Sequence, residues 1–439
     1  MKLSDFFERL VDDDVNVGFR AYDGSAAGPA GAETVVELRS PLALRYLLSS
    51  PGELGLARAY VTGALEIHGD LHAALTGLLA HRHSDVRPLD VLRVVRGLGR
   101  SALRPPPIPE EEAPPPWRRS MRRHTRERDA AAIEHHYDLS NRFYERLLGP
   151  TMTYSCAVFP EPDSRLDEAQ VEKVDLICRK LDLRPGQRLL DVGAGWGALI
   201  RHAAEHYGVS ALGVTLSEQQ VGWARRAIDA AGLAARAEIR HLDYRDVRET
   251  GFDAISSVGT MEHIGSAELG AHFTFLSGKL RPEGRILNHT ITRPSNVRNT
   301  KIGGFNDRYI FPDGELQGPS TVVGAMHDHG FEVRHSENLR EHYAMTLREW
   351  GRNLERHWGP AVAEVGERRA RAWRLYMAVS RIAFETNRVE IHQFLGVRTG
   401  ADGRSAVPLR PWWGESGTTP APAPQTADLA AGAPRRILR

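Results

Sequence analysis

Apolar side chains in the first hundred residues follow helical spacing in some stretches and strand-like alternation in others. These stretches predict, in order, a helix at 3–11, a pair of strands at 16–22 and 33–39, and helices from 42 and at 70–81. Asp23-Gly24 lies in the turn expected to connect the two strands. Residues 1–100 are therefore predicted to form a small α+β domain, in which no cluster of catalytic residue types stands out.

The pattern changes in residues 101–129, where apolar periodicity is lost. Residues 105–116 are rich in proline and acidic, which is typical of an extended linker. Seven basic residues follow between Arg118 and Arg128, with only Glu127 against them. This run has two open interpretations. It is either a solvated helix face or a surface that binds anionic lipid.

Strand-like and helical stretches alternate through residues 130–398, as expected for a doubly wound α/β domain. The predicted strands are 188–192, 209–214, 238–242, 252–258, 285–292, a stretch from 331, and one near 343–347. Residues 293–319 interrupt the alternation beside a strand, where a substrate lid is a natural interpretation. Residues 399–439 are rich in Pro, Ala, Gly and Thr and are predicted to be disordered, apart from Trp412-Trp413.

Composition narrows the class of protein. The 439 residues carry a formal net charge of +1, so no overall positive field favours nucleic acid as a partner. Two cysteines are too few for a disulfide framework. No signal peptide is recognisable, and no apolar run approaches the roughly 20 residues that span a bilayer. A cytoplasmic protein is expected, with any membrane contact peripheral and at the inner face.

A glycine-rich turn follows the strand at 188–192. Gly193, Gly195 and Gly197 alternate after Asp191, unlike the G-x-G-x-x-G of dinucleotide folds, and the next strand lacks the acidic residue those folds require. The pattern resembles the first motif of S-adenosylmethionine (SAM) dependent methyltransferases. The alternative is a glycine turn that only packs a helix on a strand.

The resemblance to methyltransferases implies a set of cofactor contacts. The three glycines would cradle the amino acid end of SAM, and Asp191 would reach its ammonium group through water. The remaining contacts implied are Tyr154 and Ser155 over the methionine part, Thr215, Leu216 and Gln220 against the ribose, and Asp243 and Tyr244 against the adenine.

Five further motifs carry a narrower resemblance. They are His136–Asn141, Thr153–Ala157, Val258–Gly265, His289–Ile291 and Tyr309–Gly314. Together they resemble the cyclopropane fatty acid synthase family over residues 131–397, which implies a Rossmann-like catalytic domain. Residues 21–25 and 51–55 look most like actinobacterial enzymes of tuberculostearic acid synthesis, and the family suggests lipid binding or dimerisation for the N-terminal domain.

The family resemblance also implies a bound bicarbonate that removes a proton from the substrate. Its expected ligands are Cys156, Glu262, His289, the backbone N–H of Ile291, and Tyr343. Taken singly, Cys156, His289 and Tyr343 could equally be core residues. Histidines at 135–136, 327 and 329 have no companions that complete a tetrahedral set, so no metal is expected.

The leading hypothesis is an enzyme that transfers a one-carbon unit from SAM to the cis double bond of a phospholipid acyl chain. Val158 stands where the family usually has an aromatic residue, and it favours a methylene-branched product over a cyclopropane. A methylene product would need a flavin-dependent reductase as partner, and a homodimer is left open. The alternatives are a cyclopropane synthase, an ordinary O- or N-methyltransferase, and a lipid- or SAM-binding protein without catalysis.

Overall fold

The computed structural model describes residues 1–11, 15–80, 88–99, 104–114, 139–296, 301–409 and 413. Met1–Ser405 form one compact unit, and Ala406–Arg439 a second, of which 406–409 and 413 are described. The basic run at 118–128 lies outside the described residues, as does the predicted tail apart from 399–409 and 413.

A four-stranded sheet with flanking helices forms the N-terminal part. Its elements are α1 (Leu3–Leu10), β1 (Val17–Ala21), β2 (Ala26–Ala27), β3 (Thr34–Leu38), α2 (Pro41–Ser49), α3 (Glu53–Val61), β4 (Leu65–His68), α4 (Leu71–Ala80) and α5 (Pro88–Gly97). The strand order is β2-β1-β3-β4. The predicted α+β composition agrees with these elements.

The two strands predicted as a connected pair are neighbours, but they do not form a hairpin. The turn at Asp23-Gly24 leads into β2, which pairs antiparallel with β1. The chain then crosses back, so that β3 lies parallel to β1, with Phe19 opposite Val36. The local turn was correctly placed, whereas the pairing of β3 depends on a crossover that a turn motif does not encode.

The larger sheet has seven strands in the order β10-β11-β9-β8-β5-β6-β7. Its strands are β5 (Arg188–Val192), β6 (Ser210–Thr215), β7 (Ala237–His241), β8 (Phe252–Val258), β9 (Leu280–Thr292), β10 (Glu332–Asn338) and β11 (Glu390–Val397). Strands β5 to β9 are parallel, and β10 and β11 add an antiparallel edge. This topology confirms the doubly wound α/β fold.

Helices connect and flank these strands. They are α6 (Asn141–Leu148), α7 (Leu166–Leu181), α8 (Ala198–His206), α9 (Glu218–Ala230), α10 (Leu269–Lys279), α11 (Gly304–Tyr309), α12 (Pro319–Asp328), α13 (Arg340–Arg356), α14 (Trp358–Val365) and α15 (Glu367–Glu385). The strand predicted near 343–347 is wrong, since it lies within α13. Tyr343, Leu347, Trp350 and Leu354 are all buried there, at helical and not alternating spacing.

The N-terminal part and the insertion at 293–319 are joined by a buried carboxylate. The Arg58 and Arg308 guanidiniums both contact Glu112, Arg58 at 2.6 Å and Arg308 at 2.5 Å. Arg58 lies on α3 and Arg308 on α11 of the insertion. One apolar core extends from Phe7 and Leu65 to Phe305 and Tyr343. A domain boundary near residue 100 therefore stays a prediction.

Candidate active site

A cavity of about 440 Å³ lies at the carboxyl ends of β5 and β6, where open parallel sheets bind ligands. Of the eleven residues predicted to contact SAM, ten line it: Tyr154, Ser155, Asp191, Gly193, Gly195, Thr215, Leu216, Gln220, Asp243 and Tyr244. Gly197 does not line it. It precedes α8 with φ +75°, and a Cβ there would meet that of Ala224 at 3.2 Å.

The first two glycines of the turn differ in what surrounds them. Gly193 has φ +77°, and a Cβ there would lie 2.3 Å from Thr260 Oγ1. Gly195 also has positive φ, +54°, but a Cβ there would meet no protein atom within 4 Å. Gly193 is therefore required by protein packing, whereas Gly195 keeps the space of the cavity open for a ligand.

The two acidic residues among the predicted cofactor contacts, Asp191 and Asp243, already have polar partners. Asp191 is buried and accepts a hydrogen bond from Ser256 Oγ at 2.7 Å, and burial raises the pKa of its carboxyl to about 6. Asp243 binds the guanidinium of Arg245, with Nη2 and Oδ2 2.6 Å apart. Asp191 stands at the glycine turn as expected, whereas Asp243 presents its carboxylate to Arg245.

A buried lysine that was not predicted from the sequence lies in the wall of this cavity. Lys173 on α7 donates from Nζ to Ser155 Oγ at 2.9 Å. Burial lowers the pKa of its ammonium group to about 8. One buried face of α7 carries Gln170, Lys173 and Ile177. The sequence pattern that could have indicated this lysine is its helical spacing from residues on the buried face. A cation at this position suits an anionic group of a ligand.

A second cavity of about 790 Å³ meets the first. Tyr154, Ser155, Gly259 and His263 line both cavities and mark the junction. Apolar side chains of the N-terminal part form much of the second cavity's wall, among them Leu3, Phe6, Phe7, Val36, Leu38, Leu44, Leu65 and Leu75. Its size and lining suit a long apolar chain.

Four of the five predicted bicarbonate ligands line this second cavity: Glu262, His289, Ile291 and Tyr343. Glu262 Oε1 accepts a hydrogen bond from the Ile291 N–H at 2.7 Å. The amide of Ile291 thus holds the carboxylate of Glu262, instead of the bicarbonate expected from the family. Glu262 Oε2 is buried without a hydrogen-bond partner among the described residues, and burial raises the pKa of the carboxyl to about 7.

His289 contributes the second buried polar atom that lacks a partner within the described part of the chain, its Nε2. Its Nδ1 lies 3.1 Å from Gln393 Nε2, so Gln393 orients the ring. Burial and the charges of Lys173 and Lys180 hold the pKa of the imidazole well below its usual range. The ring is therefore neutral.

Cys156 is the one predicted ligand that lines neither cavity. It is fully buried, and its Sγ lies 3.2 Å from the carbonyl oxygen of Ala157. Burial raises the pKa of the thiol far above its usual value, so it stays protonated. The role of Cys156 as a bicarbonate ligand stays a prediction.

The polar side chains of Glu262 and His289 suit bicarbonate as a ligand. Neutral His289 is able to donate from Nε2, and Glu262 Oε2 is able to accept, while bicarbonate carries both acceptor oxygens and one O–H donor. Buried polar atoms without partners are costly, so a small polar ligand between them would relieve that cost. Across the described ranges, no three His, Cys, Asp or Glu residues form a group able to hold a metal.

A glycine turn that opens onto one cavity, joined to a second, apolar cavity, is the arrangement expected of a SAM-dependent methyltransferase with an apolar substrate. The family model described as mycolic acid cyclopropane synthetase matches residues 124–394. The chain belongs to this family, and the expected cyclopropane synthase resemblance is confirmed.

Relatives extend the match into the N-terminal part. The probable fatty acid methyltransferase Rv3720 of Mycobacterium tuberculosis is 50% identical over 404 residues, covering 90% of this chain and 94% of the relative. Tuberculostearic acid methyltransferase UfaA1 of the same organism is 32% identical, covering 86% and 87%. The cyclopropane-fatty-acyl-phospholipid synthase of Escherichia coli is 34% identical over 268 residues, covering 60% of this chain and 68% of its own.

Solved structures match the catalytic part. Mycolic acid cyclopropane synthase CmaA1, complexed with SAH and CTAB, is 32% identical with a TM-score of 0.58, covering 64% of this chain and all of its own. The cyclopropane synthase MmaA2 from Mycobacterium tuberculosis has the same TM-score at 30% identity, covering 64% and 100%. The chain is thus a SAM-dependent methyltransferase of the cyclopropane synthase type that acts on fatty acids or lipids.

Proposed function

We propose that the enzyme transfers a one-carbon unit from SAM to the cis double bond of an unsaturated phospholipid acyl chain. The main observation in support is that the cofactor cavity meets the apolar cavity. The residues that line both cavities are Tyr154, Ser155, Gly259 and His263. An acyl chain in the second cavity would present its double bond at that junction. SAM would supply an electrophilic methyl group there, held by the glycine turn, Thr215 and Gln220.

Aromatic side chains lie at the junction and along the acyl cavity. Tyr343 and Phe384 line the acyl cavity with ring centroids 4.6 Å apart, and Tyr154 lies 5.2 Å from Trp350. The negative faces of such rings attract positive charge, which suits a carbocation in the acyl chain. Glu262 Oε2 and His289 Nε2 would hold bicarbonate beside that cation, and bicarbonate would supply the proton acceptor.

For the product we propose a methylene branch, which a separate flavin-dependent reductase would convert to a methyl branch. The support is the long match to UfaA1, named a tuberculostearic acid methyltransferase, over 86% of this chain. Val158 gives less support than expected, because it lines neither cavity and its N–H donates to Ala169 O at 3.0 Å. The shorter match to a cyclopropane-forming relative keeps the ring product as second candidate.

Transfer of label from SAM tests the substrate class. The purified enzyme, given SAM with a radioactive methyl group, should label monounsaturated phospholipid in vesicles. Saturated phospholipid of the same headgroup is the matched control and should stay unlabelled. Equal labelling of both lipids, or labelling confined to the headgroup, would contradict transfer to the double bond.

Filling the acyl cavity should change the preferred chain length. Val36 on β3 lines the cavity, whereas its neighbour Val35 does not. Val36→Phe is expected to lower turnover of an 18-carbon chain roughly tenfold relative to a shorter chain, because the larger ring takes space from the substrate. Competition between labelled chain lengths measures the ratio. Val35→Phe is the control, and an unchanged ratio in Val36→Phe would contradict an acyl site here.

Peripheral binding to the inner face of the membrane is also part of the proposal. No helix among the described residues is long and apolar enough to cross a bilayer. Leu89, Leu92, Arg93 and Arg96 share one face of α5, with Leu89 62% and Leu92 48% exposed. The Arg9–Asp90 ion pair, at 3.0 Å, joins α5 to α1, whose apolar residues line the acyl cavity. This face suits an anionic lipid surface.

Replacing both leucines of that face should weaken membrane binding. Leu89→Glu combined with Leu92→Glu is expected to lower co-sedimentation with anionic phosphatidylglycerol vesicles by more than about tenfold, since it removes apolar contacts and adds negative charge. Val171→Glu on α7 is the control, because Val171 is also exposed, at 49%. Binding that is unaffected by the double substitution would exclude this face.

A further inference from the structure

A buried hydrogen-bonded chain leads away from His289 to the protein surface. His289 Nδ1 lies 3.1 Å from Gln393 Nε2, and Gln393 Oε1 accepts from Lys180 Nζ at 2.7 Å. Lys180 also donates to Glu337, whose side chain is partly exposed. The side chains of Lys180 and Gln393 are almost wholly buried. These residues lie on four elements: His289 on β9, Gln393 on β11, Lys180 on α7 and Glu337 on β10.

The order of donors along this chain is fixed at Lys180. An ammonium group has only donors, so the amide atom of Gln393 that faces Lys180 must be the oxygen. The other amide atom, facing His289, is then the NH2 group. An NH2 group is able to donate only to a ring nitrogen that carries no proton. His289 Nδ1 must therefore be the acceptor, and the proton of the neutral ring sits on Nε2.

Nε2 is the ring nitrogen of His289 that is left to bind a ligand. It is buried without a hydrogen-bond partner among the described residues, and the residue lines the acyl cavity beside Glu262. With the proton on Nε2 and the carboxyl of Glu262 ionised, the site presents one donor, at His289, and one acceptor, at Glu262 Oε2. The opposite tautomer would present two acceptors and would repel an oxyanion.

We infer that Lys180 and Gln393 are positioning residues that hold His289 in its Nε2–H tautomer, so that it donates to a bicarbonate-like oxyanion. This rests on the proposed function, in which that oxyanion accepts the substrate proton. Neither residue touches the oxyanion or the acyl chain. Lys180 sets the orientation of the Gln393 amide, and the amide sets the tautomer. Both act through His289 alone.

Gln393→Glu is expected to reverse the tautomer of His289, and it changes the shape of the side chain very little. A carboxylate only accepts, so it would draw the ring proton to Nδ1 and leave Nε2 bare, while forming an ion pair with Lys180. We expect turnover of unsaturated phospholipid to fall roughly 10- to 100-fold, as for lost partners that orient a ligand-holding histidine. The bicarbonate concentration needed for half-maximal rate should rise, whereas SAM affinity should stay unchanged. Lys180→Met should give a mixture of both tautomers.

Nitrogen-15 NMR of the full chain labelled at histidine reads the tautomer directly, with the His289 signals assigned by their loss in His289→Asn. The wild type should show Nε2–H and Gln393→Glu should show Nδ1–H. His392→Gln is the control, since His392 neighbours Gln393 on β11 but bonds Thr292. An Nδ1–H wild type, or a Gln393→Glu variant with unchanged tautomer and turnover, would overturn the inference. Wild-type Nε2–H without any lipid product would instead overturn the proposed function.

Discussion

Gly195→Val is expected to reduce SAM affinity by more than about 100-fold, or about 2.7 kcal/mol. Gly195 lines the cofactor cavity, and a Cβ at this position would meet no protein atom within 4 Å. The valine side chain would therefore enter the space left for the ligand. Isothermal titration calorimetry with SAM measures the loss.

The control for this substitution must carry the same backbone strain. Gly232, at the end of α9, also has positive φ, +69°, and open space around its Cβ position, but it lies outside both cavities. Gly232→Val should lower thermal stability to a similar degree and leave SAM affinity intact. If Gly195→Val binds SAM as the wild type does, the cofactor site is wrongly assigned.

Glu262→Gln and His289→Asn should each lower turnover by roughly 10²- to 10⁴-fold, the range for loss of a group that supports proton transfer. Glu262→Gln can keep the acceptor for the Ile291 N–H, but it then replaces the bare Oε2 with a donor. His289→Asn removes the imidazole ring, whose Nε2 has no hydrogen-bond partner among the described residues. SAM affinity should change little, since neither residue lines the cofactor cavity.

Turnover and SAM affinity measured on the same preparation separate this role from a general loss of folding. Glu315→Gln is the matched control, because Glu315 bonds Ser266 nearby and lines neither cavity. Added bicarbonate should raise the wild-type rate in carbonate-depleted buffer and leave both variants slow. Full activity in both variants would remove the proton-transfer role from this pair.

The parallel strands β5 to β9 and the cofactor site were accessible from sequence because their signals are local, whereas β11 was not predicted. Short apolar runs predicted β5 and β8, and alternating glycines placed the turn between β5 and α8. The pairing of β3 with β1 was missed because it depends on a crossover. The helix around Tyr343 was missed because a five-residue window does not separate alternation from helical spacing.

The hydrogen-bond partners of the site residues could not be predicted from the sequence, for a different reason. Gln393 lies more than 100 residues from His289, and Lys180 lies more than 100 residues from Glu337. Only the packing of α7, β9, β10 and β11 brings these residues together. Likewise, no local motif showed that Val36 and Leu65 in the N-terminal part would line the acyl cavity. Contacts of this kind are set by tertiary packing, which a local motif does not report.

Proton and carbon-13 NMR of the lipid product tests the proposed reaction most directly. The purified enzyme would receive SAM with a carbon-13 methyl group and vesicles of monounsaturated phospholipid. The account predicts that the label enters the acyl chain as a vinylidene carbon bearing two alkene protons. Label in strongly shielded ring protons would contradict the methylene product and leave a cyclopropane synthase. Label absent from the acyl chain would contradict one-carbon transfer to the double bond itself.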